Sequence, residues 1–188
     1  MELWEAIKGR RTTRNLTSDP VSDIELDRIL EAARWAPSWA NTQVWEFVLV
    51  FDKGVKERIA DCLSQTNLGR NAILEAPVTI AVLGKKGIAG FKGGQPRTVL
   101  GDWFMFDVAM AVQNLCLAAW ELGLGTVIVG SYDIEKATKV LEIPDDKQLT
   151  VLIPVGRPSQ IPKAPRRKEI TEFTHQNRHG NPWRGGGC

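Results

Sequence analysis

The stretch 99–122, VLGDWFMFDVAMAVQNLCLAAWEL, is apolar on nearly every side when wound as a helix. Such a helix has no face to offer water, so it must lie inside the fold with other elements packed around it. Gly123 and Gly125 end it. Asp102, Asp107 and Glu121 interrupt this greasiest region, and no eighteen apolar residues run unbroken, so it does not read as a bilayer span. With 188 residues the chain fits one domain, able to bury about two thirds of the surface its unfolded form exposes.

The flanking sequence supplies the elements that surround this helix. Leu3–Lys8 reads as a short helix with Leu3, Trp4 and Ile7 on one side. Ser22 and Glu25 form a capping box, and Leu26, Ile29, Leu30 and Ala33 follow at helical spacing until Pro37 stops them. WEFVLVF at 45–51 is a strand; Val55, Ile59, Cys62 and Leu63 mark a helix; VTIAVL after Pro77 is a second strand. TVIVG at 126–130, a short helix at 134–141 and LTVLIPVG at 149–156 complete the pattern. The glycine-rich, basic connection 84–98 is long enough to be a lid or a disordered segment. From Arg157 onward the chain should run extended over a surface. The order predicts an α+β (α/β-like) domain, a mixed sheet around one buried helix. Its expected limits are 1–170, with 171–188 as a tail.

Composition narrows the function classes. Twenty-four basic against 22 acidic side chains leave a net charge of +2, too balanced for a protein that coats nucleic acid. Cys62, Cys116 and Cys188 are odd in number and form no C-x-x-C, and unpaired thiols suit a reducing compartment. The opening MELWEAIKGRR has no apolar core stretch and does not read as a signal peptide, so a cytoplasmic location is expected. His175 and His179 are the only histidines; Gly180 and Pro182 argue against a helix that would pair them, and no metal site is expected. The same scarcity argues against a Ser-His-Asp or Cys-His hydrolase. GLGTVIVG from Gly123 lies between helix and strand in the wrong order for a dinucleotide fingerprint, and 84–98 holds no G-K-[ST].

Two basic clusters remain: KGRRTTR at 8–14, with Lys8, Arg10, Arg11 and Arg14, and KAPRRK at 163–168, with Lys163, Arg166, Arg167 and Lys168. Guanidinium forks and hydroxyls together form a phosphate shell, and clusters from opposite chain ends can meet on one phosphate. The plain alternative is two solvated patches. PSWANTQVW at 37–45 sets Ser38, Asn41, Thr42 and Gln43 in a turn between Trp39 and Trp45. These groups can read the polar edge of a heteroaromatic ring while indoles cover its face, or form a polar loop whose tryptophans merely pack. Cys116 reads as a small core residue, Gln113 and Asn114 as a buried pair satisfied by backbone or across an interface, and Asp107 as a structural carboxylate.

Five motifs in order give the chain a family resemblance: R-R-T-T-R at 10–14, P-S-x-x-N-x-Q-x-W at 37–45, D-x5-Q-N-L-x-L-A-A-x-x-L-G-L-G at 107–125, V-G-S-Y-D at 129–133 and I-P-V-G-R-P at 153–158. Over roughly residues 3–170 the sequence resembles the FMN-dependent nitroreductases. That resemblance implies a mixed, mainly antiparallel sheet wrapped around the long buried helix, non-covalent FMN, NAD(P)H as a transient electron donor, and a homodimer with two sites at its interface. It also implies ping-pong hydride transfer through flavin N5 to an electron-poor acceptor, a small aromatic such as a nitroaromatic or quinone.

By the same resemblance, Arg10, Thr12 and Arg166 or Arg167 bind the phosphate, with Arg11 nearby. Arg14 sits by the pyrimidine edge, where its charge supports reduction. Pro37, Ser38, Trp39, Asn41 and Gln43 belong to the loop contributed by the second subunit. Val129, Gly130 and Ser131 pass by N5, with the Gly130 amide aimed at it, and Asn71 or Asn67 meets the ring. Arg14 and Gly130 are the expected catalytic positions. Two departures stand out: Trp39 replaces a small residue, either narrowing or stacking in the pocket or packing in the dimer interface, and Val44 replaces Pro. Rival readings are a specialised enzyme of the same fold (flavin fragmentation or reductive dehalogenation), a non-catalytic flavin sensor or carrier, and a nucleic-acid module. The expected burial of the tryptophans weighs against the last.

Overall fold

A computed structural model describes residues 1–183; residues 184–188, Arg-Gly-Gly-Gly-Cys with Cys188, lie outside the described residues. The elements in chain order are α1 (Leu3–Gly9), α2 (Asp23–Arg34), β1 (Trp45–Val50), α3 (Lys53–Ala60), α4 (Gly69–Glu75), β2 (Val78–Lys85), β3 (Phe91–Lys92), β4 (Gln95–Pro96), α5 (Phe104–Glu121), β5 (Gly125–Thr126), α6 (Ile134–Val140) and β6 (Lys147–Gly156). The main sheet has the order β1-β2-β6-β5, with every neighbouring pair antiparallel. A parallel bridge between Thr12 and Thr126 adds the N-terminal segment to its edge. This is the expected α+β architecture.

Strand alternation divides the core into two layers. Val78, Ile80 and Val82 of β2 face one cluster with Val108, Ala111, Leu115 and Ala119 of α5 and Leu26 and Ile29 of α2. Ala81 and Leu83 face the other, with Ile59 of α3, Ile73 of α4 and Ala137 of α6. A bulge between Val82 and Leu83 skips Thr150, so Leu149 and Leu152 share one face despite an odd spacing.

Four expectations change. The long helix starts at Phe104 rather than Val99, because Gly101 turns with φ 71° and the Asp102 carboxylate accepts from the Phe104 amide at 3.2 Å. Its buried face is a stripe: Met105, Phe106 and Gln113 are exposed on the opposite side, and the Asn114 amide donates to the Ala32 carbonyl at 3.1 Å. TVIVG is not a continuous strand; β5 has two residues, and Val129 rejoins the sheet by a reciprocal pair of bonds with Leu152 at 2.9 and 3.0 Å. The 84–98 connection carries the β3–β4 hairpin, turned by Gly93 and Gly94 at φ 60° and 74°, conformations that suit glycine.

Nor are the tryptophans uniformly buried: Trp4 and Trp35 are 67% and 74% exposed and Trp183 42%. Leu3 and Ile7 are exposed beside Trp4, since α1 buries only Ala6. The capping box forms as read, with the Glu25 carboxylate accepting from Ser22 at 2.9 Å and Ser22 Oγ from the Glu25 amide at 3.3 Å. Cys62 and Cys116 are free and buried. No described helix is long and apolar enough to cross a membrane.

Candidate functional site

Extended backbone along 10–17 brings the chain ends together. Thr13 donates to the Thr126 carbonyl at 2.8 Å beside β5. Farther on, Thr17 donates to the Arg157 carbonyl at 2.8 Å and Ser159 to that of Asn15 at 3.0 Å, so the segment after β6 runs antiparallel to 15–17. Extended chain alternates its side chains. Thr13 is buried in the edge of the sheet, while Arg10, Thr12 and Arg14 look out into a cavity of about 370 Å³. Lys163 and Arg167 line the same cavity from the C-terminal side. Of the two candidates Arg166 and Arg167, only Arg167 lines it. Arg11 borders it, but its guanidinium turns back onto the end of α1 and donates to the carbonyls of Lys8 and Arg10 at 2.6 and 2.9 Å.

A second cavity, about 520 Å³, shares Thr12, Arg14 and Pro162 with the first and continues into uncharged polar groups: Asn15, Gln65, Asn67 and Asn71. The two form one cleft with a cationic end and a hydrogen-bonding end, and Arg14 borders both. Asn67 braces its wall. Its amide donates to the Ser131 carbonyl at 2.8 Å and its oxygen accepts from the Gly69 amide at 2.8 Å. Asn71 is exposed and makes no side-chain hydrogen bond among the described residues, leaving both its donor and acceptor for a ligand. Gly130 and Ser131 are exposed beside the brace while Val129 is buried; a Cβ on Gly130 would meet only Val151, at 3.9 Å, so the space above it is open. Asn15, Gln65 and Gln160 were not singled out from the sequence, because lone polar residues in loops carry no pattern.

None of Pro37, Ser38, Trp39, Asn41 or Gln43 lines the cleft of its own chain. Their turn stands at the start of α5, where the Trp39 amide donates to both oxygens of Asp107 at 3.1 Å and Thr42 Oγ1 approaches at 3.5 Å. Ser38 Oγ accepts from the Gln43 amide at 3.0 Å. Ala40, Asn41 and Gln43 all have positive φ, 44°, 57° and 48°; Asn tolerates this region, but it costs Ala and Gln roughly 1–2 kcal/mol each. The Trp39 ring lies 5.2 Å from that of Trp103, and Trp103 meets Phe106 edge-on at 5.6 Å. Asp107 is buried, and burial pushes its carboxyl above the usual range against the pull of the Trp39 amide. A groove between α2 and α5, about 600 Å³, is lined by Ile24, Trp35 and Leu122; its Arg28 and Glu121 pair at 3.6 Å, so it presents nothing like the cationic cleft.

Comparison with known proteins bears on the family and the fold. A putative NADH dehydrogenase/NAD(P)H nitroreductase from Methanothermobacter thermautotrophicus is 30% identical over 166 residues, covering 86% of this chain and 80% of its own. A 5,6-dimethylbenzimidazole synthase from Rhodospirillum rubrum is 27% identical, covering 92% of this chain and 88% of its own. The crystal structure of oxidized iodotyrosine deiodinase bound to FMN and 3-iodo-L-tyrosine superposes with a TM-score of 0.76 at 25% identity, over 93% of this chain and all of that one. The Nitroreductase family model matches residues 7–157, from within α1 to the residue after β6, and the chain belongs to that family of flavoprotein oxidoreductases.

Proposed function

We propose that the protein is a homodimeric, FMN-dependent NAD(P)H oxidoreductase that passes electrons to an electron-poor aromatic acceptor, a nitroaromatic or a quinone. The observation that carries this reading is the single cleft in which Arg10, Thr12, Arg14, Lys163 and Arg167 converge from both ends of the chain. Its donors fit FMN: a cationic end for a phosphate, then a neutral polar end for a ring edge. Arg10, Arg167 and Lys163 neutralise the phosphate while Thr12 supplies a hydroxyl. Arg14, common to both cavities, places positive charge at the pyrimidine edge of the ring. Asn71 offers both hydrogen-bonding senses, and Asn67 fixes the 129–131 backbone so that the Gly130 amide can serve as a ring contact. When bound, FMN would supply the hydride-accepting redox chemistry that links NAD(P)H to the acceptor.

The protein's own share is position, charge and exclusion of water, and no side-chain acid or base is required for hydride transfer. The turn at 37–43, which avoids its own chain's cleft, is suited to close over a ring held by a second copy. Domain limits of 1–170 and a cytoplasmic location follow the same reading.

The visible spectrum of the purified protein, FMN titration and anaerobic addition of NADH or NADPH test this together. The expected result is a yellow dimer that bleaches with one of the nicotinamides and recolours with a quinone or nitroaromatic. Yellow protein that neither nicotinamide bleaches indicates a sensor or carrier. Flavin breakdown in air, or selective dehalogenation of a halogenated phenol, moves the reading to a specialised enzyme of the same fold. A colourless monomer that ignores FMN and binds DNA or RNA overturns it.

A further inference from the structure

We propose that Asp107 is a positioning residue for the acceptor side of the site: it holds the 38–43 turn in its left-handed shape, and Trp39 carries that hold across to Trp103 and the glycine-rich segment. This rests on the functional reading above, in which the turn faces the flavin ring of the other protomer.

Three observations lead here. A helix-to-strand connection has no need of three non-glycine residues at positive φ, and strain of this kind persists only where surrounding structure enforces it. The enforcing group is identifiable, because both Asp107 oxygens accept from the Trp39 amide at 3.1 Å and Thr42 closes on one of them. That carboxylate is 1% exposed and forms no ion pair among the described residues, so it is held at a cost that ordinary packing would avoid.

The far side of the turn is equally tied. Trp103 takes the Trp39 ring at 5.2 Å, donates from Nε1 to Thr98 Oγ1 at 2.9 Å, and donates its backbone amide to the Ala89 carbonyl at 3.0 Å. Asp102 accepts from the Gly87 amide at 2.6 Å. The turn, the start of α5 and the 87–103 segment therefore form one braced wall with an indole at its rim. A flat aromatic acceptor docks against such a rim by stacking, and its apparent affinity depends on where Trp39 stands. Asp107 sets that place without touching the acceptor.

The test compares wild type with Asp107→Asn and Trp103→Leu. Amide hydrogen exchange across 38–43, measured without acceptor or nicotinamide, reads the clamp directly. Steady-state kinetics at saturating FMN and NAD(P)H read KM for a nitroaromatic and for a quinone. Losing one charged hydrogen bond should speed exchange at the Trp39 amide about tenfold and raise acceptor KM about tenfold, with kcat changed less. Trp103→Leu should raise acceptor KM while leaving the Trp39 amide protected, since its backbone bond to Asp107 survives. Lowered thermal stability in Asp107→Asn with unchanged exchange and unchanged KM would assign Asp107 a merely structural role and overturn the proposal. Should the wild type bind no FMN, the functional reading falls by itself; the exchange measurement still decides whether Asp107 clamps the turn.

Discussion

The basic cleft and the 38–43 turn are built on opposite principles. The cleft is made of ordinary extended backbone: Arg10, Thr12 and Arg14 project from alternate positions of a segment bonded to β5, and their guanidinium and hydroxyl groups stay free for a ligand. The turn spends its polar groups internally, on Asp107 and Ser38, and stores strain at Ala40 and Gln43. An anion site gains from unspent donors near the surface. A wall gains from having none to spare, because a self-satisfied turn keeps its shape when a ligand arrives and leaves.

The strongest way to break this contrast is to remove charge from the cleft. The double variant Arg10→Ala/Arg167→Ala deletes two charge-assisted contacts and should weaken FMN binding at least ~100-fold, read by quenching of flavin fluorescence. Unchanged affinity would mean that the cleft does not hold the phosphate. Arg14→Ala separates binding from chemistry: flavin reduction by NAD(P)H should slow roughly tenfold in stopped flow, with a smaller loss of affinity. An unaltered reduction rate would remove Arg14 from its role.

Acid titration sharpens the comparison through two carboxylates. Glu25 is held below its usual range, first by the Ser22 amide and further by Arg157, 2.6 Å away. Its contribution to stability is present above the unfolded value and lost as pH falls through the lowered one. Asp107 is displaced upward, chiefly by burial and partly by the like charge of Asp102. Proton uptake at Asp107 therefore favours the folded state, and the stability it confers below the unfolded value is lost as pH rises through the raised one. Glu25→Gln should cost about 1 kcal/mol at pH 7, the scale of a helix cap, and less near pH 3. Asp107→Asn should remove the opposite slope, and denaturant melts across pH 3–7 measure both. If the two variants share one pH profile, the distinction between them is wrong.

The smallest effect belongs to the strained turn. Ala40→Gly relieves a φ of 44° and should stabilise the protein by about 0.5–1 kcal/mol, net of the entropy glycine adds to the unfolded chain. A loss of stability instead would mean that the left-handed geometry is not strained.

Sequence by itself determined what short-range physics fixes. The Ser22–Glu25 box, the helical spacing of Leu26, Ile29 and Ala33, the β-branched runs of β1, β2 and β6 and the two basic clusters all rest on neighbours a few residues apart. Tertiary structure decided the rest. The two basic clusters reach one cleft because hydrogen bonds at Thr17 and Ser159 fasten segments from opposite ends of the chain, and of the C-terminal pair only Arg167 lines it. Asn67 braces Ser131 while Asn71 stays open, a division set by which asparagine faces the 129–131 backbone. The one-sided burial of α5 was illegible too, since its composition records how apolar each position is and not which neighbours arrive to cover it. The left-handed turn was illegible at Ala40 and Gln43, residue types that give no local signal for positive φ, and the Trp39 amide beside them is bonded to Asp107, far along the chain. Propensity and periodicity act over one or two turns of chain. Hydrogen bonds and burial that join distant residues exist only after folding, and they decide which of the available side chains do chemistry.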